Sequence, residues 1–248
     1  MMLKQLNVGY LPTNCYIVAC ANTGEAVIID PGIIKGEERQ IVGALQEPKL
    51  VVKYIINTHG HPDHFSGNRV LKETTGADIL IHCADAALLE DPWLGAEDSP
   101  AFSVPHQCPV CGKQEMVRLE VIKKKARMIS GCGVVVLEAD LSPPADRLLM
   151  EGDNIAFGQT VLKVIHTPGH TKGGVSLYSA NDGILFTGDT LFADSCGRTD
   201  LAGGSDQDMM RSLRKLMRLP SKTAVYPGHL SSTTLERARA NNPCVRSF

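Results

Sequence analysis

The chain runs to 248 residues, 43% hydrophobic and 21% charged, too apolar for a disordered chain and too interrupted by charge and glycine for a membrane span. Lys+Arg number 25 against 27 Asp+Glu, a net charge of −2, so nothing global argues for a polyanionic partner. The opening MMLKQLNVGYLPTNCYIVAC has no signal-peptide core, and a cytoplasmic protein with one substantial domain is expected. Eight cysteines are too dilute for a disulfide scaffold; Cys15, Cys20, Cys83, Cys196 and Cys244 read as small apolar fillers.

In chain order, apolar runs bounded by turn residues predict strands at Cys15–Cys20, Ala26–Asp30 and Val51–Thr58. The third runs directly into T-H-G-H-P-D-H, Thr58 to His64. Glycine and proline end the strand there, and Pro62 suits the first position of a helix. His59 and His61 then sit on the loop, with Asp63 and His64 in the first helical turn. Helical period continues from Phe65 to Thr74, and further strands are predicted at Asp78–His82, Val161–Thr167, Val175–Tyr178, Ile184–Asp189 and Thr223–Tyr226. A helix over Gln207–Leu219 carries Arg211, Arg214, Lys215 and Arg218 on one solvated face. The pattern is mixed α/β.

Three histidines and one aspartate within six residues, at a predicted strand end, suit a cation. Three later strand ends carry the same kind of signal: T-P-G-H ending at His170, T-G-D ending at Asp189, and Y-P-G-H ending at His229. The seven candidate ligands exceed the needs of one tetrahedral ion and suffice for two if a carboxylate bridges. Nitrogen and carboxylate donors without thiolate suit zinc, iron or manganese. The helical HExxH signature is absent.

The order T-H-x-H-x-D-H, T-P-G-H-T, T-G-D and P-G-H, over nearly the whole chain, resembles the metallo-β-lactamase-fold hydrolases. The resemblance implies a four-layer αβ/βα sandwich with two divalent metal ions, zinc first and iron or manganese as alternatives, at one edge of two sheets. It places His59, His61 and His170 on one metal, Asp63, His64 and His229 on the other, and Asp189 between them. Asp30, in A-V-I-I-D-P-G, matches an aspartate implied to orient a ligand histidine; a turn-forming Asp-Pro-Gly accounts for the same residues.

Asp189 and the following G-R-T-D segment are similar to the short glyoxalase II-like, or hydroxyacylglutathione hydrolase-like, branch. That branch implies cleavage of a small acyl-thioester by a metal-bound hydroxide, with Asp63 and Asp189 acting through it. Arg198 is implied to lie near the pocket, where it receives a substrate carboxylate or, alternatively, pairs with Asp200. Two features depart from glyoxalase II: Ser231 replaces a substrate-contacting tyrosine, and the 19 residues after His229 do not hold its helical carboxy-terminal domain. Glutathione itself is therefore not the expected carrier. The G-R-T-D segment is also similar to persulfide dioxygenases, which makes a mononuclear iron site built from His59, His61 or His170 with Asp189 the alternative.

The stretch from about Pro105 to Gly133 breaks the rhythm, with six Lys/Arg against two Glu and a local charge of +4. It reads as a module inserted into a domain spanning 1–248. C-P-V-C-G at Cys108–Gly112 and C-G at Cys132 resemble a zinc ribbon, with Ile129 where a second C-x-x-C needs cysteine. His106 would complete Cys108, Cys111 and Cys132 as an extra structural zinc site. Lys123, Lys124, Lys125 and Arg127 read as a solvated rim, or as the nucleic-acid contact of a nucleic-acid-processing enzyme.

Overall fold

The computed structural model describes residues 1–9, 11–46, 49–91, 94, 102–107, 114–122, 125–130, 133–137 and 141–248, with backbone alone over 102–137. Strands β1 (Met2–Val8), β2 (Thr13–Ala19) and β3 (Glu25–Ile29) form an antiparallel meander. Helix α1 (Glu38–Gln46) returns the chain so that β4 (Val51–Ile56) lies parallel to β3.

Helix α2 (Pro62–Phe65) starts at the expected proline, and α3 (Asn68–Thr75) follows it. Sequence periodicity predicts one helix over Phe65–Thr74; the structure divides it at Gly67. The Gly67 N–H donates to the Pro31 carbonyl at 2.8 Å, and a Cβ there would stand 2.6 Å from that oxygen. The loop after β3 thus occupies the space that a continuous helix would need.

Strand β5 (Asp78–His82) pairs parallel to β4 and leads into a 3-10 turn, Cys83–Leu89. Strands β6 (Phe102–Gln107), β7 (Gln114–Ile122), β8 (Lys125–Ser130) and β9 (Gly133–Leu137) pair in sequence as a separate antiparallel sheet. This sheet spans the stretch that composition sets apart. Cys108, Cys111 and Cys132 lie outside the described residues, as do the side chains of His106, Lys125 and Arg127. Strand β10 (Arg147–Leu149) rejoins the first sheet beside β5.

The second sheet begins with β11 (Asn154–Phe157), β12 (Thr160–His166), β13 (Val175–Ser179) and β14 (Ile184–Gly188), all antiparallel. Helix α4 (Asp206–Leu216) carries the chain to β15 (Ala224–Pro227), parallel to β14, and β16 (Thr233–Thr234) and α5 (Leu235–Asn241) close the layer.

Side chains alternate across a strand, so a strand covered on both faces reads as a continuous apolar run. In β2, Cys15 and Ile17 pack toward the helical side with Ile41 and Leu71, while Tyr16 and Val18 meet Leu162, Val164 and Phe186 of the second sheet. Beyond the second sheet, Leu185 and Val225 pack against Met209, Leu213 and Leu216 of α4 and Ala238 of α5. The layers therefore run helices, sheet, sheet, helices, the sandwich that the resemblance implies. Arg211, Arg214, Lys215 and Arg218 are exposed. Cys15 and Cys20 are buried fillers, and half-buried Cys196 and Cys244 pack against the apolar layer around α4 and α5; Cys83 is exposed, so the filler reading fails there. Among the described residues, no helix is long and apolar enough to cross a membrane.

Candidate metal centre

All the ligand-type residues lie just beyond the carboxyl ends of strands from both sheets: Asp30 after β3, His59 to His64 after β4, His170 after β12, Asp189 after β14 and His229 after β15. Among the described residues, three groups close enough to share a cation result: His59, His61 and His170; His59, His64 and Asp189; and Asp63, His64 and His229. The second group crosses between the two ligand sets that sequence resemblance proposes.

Ligand nitrogens face one another at short range. His59 Nε2 and His61 Nδ1 are 3.1 Å apart, His170 Nε2 and His61 Nδ1 2.9 Å, and His64 Nε2 and His229 Nε2 3.2 Å. Nitrogens bound tetrahedrally to one zinc at about 2.0–2.1 Å stand about 3.3 Å apart, so the spacing matches shared coordination. Asp189 lies between the groups, its carboxylate 3.6 Å from Nε2 of His64, His170 and His229. Its Oδ1 is buried with no hydrogen-bond partner, a costly state for a carboxylate oxygen unless a cation occupies it. Gly228 makes room: a Cβ there would lie 2.3 Å from that oxygen. The donor set, its spacing and the orphaned oxygen fit divalent metal.

Outward hydrogen bonds aim the rings. His170 Nδ1 donates to the Arg198 carbonyl at 2.7 Å and His229 Nδ1 to the Pro12 carbonyl at 3.1 Å; carbonyls only accept, so each Nε2 lone pair turns inward. His64 Nδ1 stands 3.0 Å from Asp30 Oδ2. The same oxygen accepts from Thr58 Oγ1 at 2.7 Å, and Thr58 Oγ1 in turn lies 3.2 Å from His59 Nδ1. Asp30 thereby orients His64 directly and His59 through a hydroxyl. It does so from the left-handed region, φ 51°, which aspartate tolerates better than most side chains. Asn14 secures the last ligand loop through its Nδ2, which donates to the carbonyls of Pro227 at 3.0 Å and Leu230 at 2.8 Å.

The cluster divides electrostatically. Burial, then the neighbouring imidazoles, push His59 well down; burial and His170 take His61 to about 3. Burial also opposes charge on His64, but the carboxylates of Asp63, Asp30 and Asp189 outweigh it and lift His64 to about 10. His229 is raised too, Asp189 and Asp63 prevailing over burial. Asp63 and Asp189 are held below the usual carboxylate range by the surrounding histidines, against their burial.

Sequence reasoning misses Asp85, in the 3-10 turn after β5. It is 1% exposed and accepts from Gly60 N–H at 3.0 Å, Gly173 N–H at 2.6 Å and Thr171 Oγ1 at 2.6 Å. One carboxylate thus ties the loop bearing His59 and His61 to the loop bearing His170. The visible signal was an acidic residue in the apolar run ILIHCADAALL. Arg198 is predicted at the pocket through its guanidinium; that group makes a two-pronged pair with Asp200 at 2.7 and 2.6 Å, while its carbonyl orients His170.

A helix–sheet–sheet–helix sandwich with a histidine and aspartate cluster at its strand ends defines a candidate metal-binding protein. The chain belongs to the metallo-beta-lactamase superfamily, whose model matches residues 8–229. It is 32% identical over 214 residues to a hydroxyacylglutathione hydrolase of Rhodospirillum rubrum, covering 86% of this chain and 60% of that enzyme. The crystal structure of BLEG-1 B3 metallo-beta-lactamase is similar at a TM-score of 0.76 and 30% identity, over 98% of this chain and 99% of that one. That of TTHA1623 in a di-iron-bound form is similar at 0.73 and 29%, over 97% and 98%.

Asp85→Asn keeps the volume but turns an amide donor toward groups that themselves donate. It should cost about 1–3 kcal/mol by urea unfolding and weaken metal retention roughly 10–100-fold in chelator competition; unchanged retention would remove Asp85 from the support of the site. The raised His64 makes a second test. It holds a proton up to about 10, which a cation at Nε2 must expel, so affinity at the Asp63, His64 and His229 group should fall as pH falls. His61, already neutral above about 3, adds no such dependence near neutral pH. Calorimetry of metal binding in buffers of different ionisation enthalpy should count at least one proton released, and a count of zero would contradict this charge distribution.

Proposed function

We propose that the chain hydrolyses a small acyl-thioester at a pair of divalent cations, in the manner of glyoxalase II. The observation that carries the reading is Asp189, whose carboxylate stands 3.6 Å from ligand atoms on both sides of the cluster. His59, His61 and His170 would hold one cation, Asp63, His64 and His229 the other, with Asp189 shared. Zinc leads on donor chemistry, and the likeness to a di-iron protein supports iron as the alternative.

When bound, the cations lower the pKa of water to give hydroxide near neutral pH and polarise the scissile carbonyl. The protein's own residues do the positioning. Asp30 and the Arg198 and Pro12 carbonyls hold the imidazoles with their lone pairs inward. Asp63 Oδ2, 3.2 Å from His229 Nε2 and 3.5 Å from His64 Nε2, is kept ionised and so is ready to serve as a ligand to the second cation. A departing thiolate, with a thiol pKa of about 8.5, needs little acid assistance, which suits a site rich in bases.

The thioester class rests on the hydroxyacylglutathione hydrolase relative, of which the chain spans three fifths. Likeness to a B3 metallo-beta-lactamase supports β-lactam cleavage as the second reading.

With metal loaded, kcat/KM should be at least about tenfold higher for thioesters than for matched oxygen esters or β-lactams. Asp189→Asn should lower thioester turnover by orders of magnitude with circular dichroism unchanged. Faster β-lactam turnover would favour the second reading. Arg198→Ala, compared on matched anionic and neutral thioesters, should lose about 1–3 kcal/mol of preference for the anion; equal selectivity would leave Arg198 as the partner of Asp200 alone.

A further inference from the structure

Two thiols meet just outside the ligand cluster. Cys196 Sγ and Cys244 Sγ are 2.7 Å apart across 48 positions of sequence. The contact joins separately anchored backbones. Cys196 lies on a turn bridged to Leu191 and closed by Phe192 N–H to the Ser195 carbonyl at 3.0 Å. Cys244 follows α5, and its N–H donates to Asn242 Oδ1 at 2.8 Å. Asn242 is fully buried, and its amide donates to the carbonyls of Phe192 at 3.0 Å and Ser195 at 2.8 Å. Asn242 therefore fixes one segment against the other, and the fully buried Val245 holds the far side of Cys244.

We propose that Cys196 and Cys244 are an oxidisable dithiol, a covalent modification site that a small-molecule disulfide converts to an intramolecular cross-link. One protein thiolate attacks the reagent disulfide R–S–S–R, forming a mixed disulfide and expelling R–S⁻. The second protein thiolate attacks the protein-bound sulfur of that mixed disulfide, forms the Cys196–Cys244 bond and expels the second R–S⁻. The cysteine pair loses two electrons and two protons, and R–S–S–R is reduced to two thiols. Burial and the adjacent Cys244 sulfur push the Cys196 thiol up to about 12, which slows its own attack near neutral pH. Both cysteines are half-buried, which leaves a reagent a way in.

The location gives the bond a consequence. Arg198, two residues beyond Cys196, supplies the carbonyl that orients His170, and the cross-link would secure its loop to the segment after α5. Closing so long a loop restricts the unfolded chain and should raise Tm by roughly 5–15 °C. The inference rests on these contacts and does not depend on which substrate the site cleaves.

The test takes full-length, metal-loaded protein through oxidised and reduced glutathione, blocks remaining thiols with N-ethylmaleimide, and maps peptides by mass spectrometry. A 196–244 cross-linked peptide two mass units below its reduced form, reversed by dithiothreitol, is expected. Exposed Cys83 serves as the control for reagent activity. Oxidation should raise Tm in the wild type and in Cys83→Ser, but not in Cys196→Ser or Cys244→Ser. Free, alkylated Cys196 and Cys244 under conditions that modify Cys83 would overturn the proposal, as would a Tm rise that persists in both serine variants.

Discussion

Imidazole lone pairs that point at one another repel, and five rings here are turned so that their nitrogens converge. Inside the cluster Asp63 and Asp189 offset part of that repulsion, and hydrogen bonds from outside it fix the ring orientations. The outward nitrogens of His170 and His229 are committed to carbonyls, which can only accept, and Asp30 commits His64 directly and His59 through Thr58. The neutral rings and the charged ones are set by the same geometry, because His64 sees three carboxylates while His59 sees mainly other imidazoles. The cluster is thus preorganised, and the strain of holding it is borne by buried hydrogen bonds whose loss would leave orphaned groups.

Those hydrogen bonds need a rigid frame. The two sheets supply it by packing face to face through Tyr16, Phe157, Phe186 and the aliphatic residues around them. Ligand loops leave this core at its edge, so each begins from a strand that is locked on both faces. The remaining freedom lies between loops, and there single polar residues act as ties: Asp85 between the loop of His59 and His61 and the loop of His170, Asn14 on the last, and Asn242 between the loop after Asp189 and the segment after α5.

Asp63 and His64 were legible from their closeness to His59 and His61, while most candidate ligands, His59, His61, His170, Asp189 and His229, were legible because they follow an apolar run and stand beside glycine. Buried parallel strands were legible for the same reason. The short strand β11 and the edge strand β1 were not, since β1 keeps Lys4, Gln5 and Asn7 exposed and β11 is only four residues long. The division of α2 from α3 depends on Pro31, thirty-odd residues away, and no periodicity records it. For Asp85 the sequence shows only an acidic residue in an apolar run; its partners, the Gly60 and Gly173 amides and the Thr171 hydroxyl, are brought in by other loops. The meeting of Cys196 with Cys244 depends on Asn242, and sequence spacing carries no trace of it.

The tie between His229 and the β1–β2 turn bears on biosynthesis. Pro12 and His229 are 217 positions apart, and Asn14 N–H also donates to the Gly228 carbonyl at 2.7 Å. A chain still emerging from the ribosome can form the first sheet and present His59, His61 and His64, yet it lacks the last imidazole and the contact that aims it. The Asp63, His64 and His229 group is therefore completed only by long-range contacts between residues 12 and 229, whereas the His59, His61 and His170 group needs none of them.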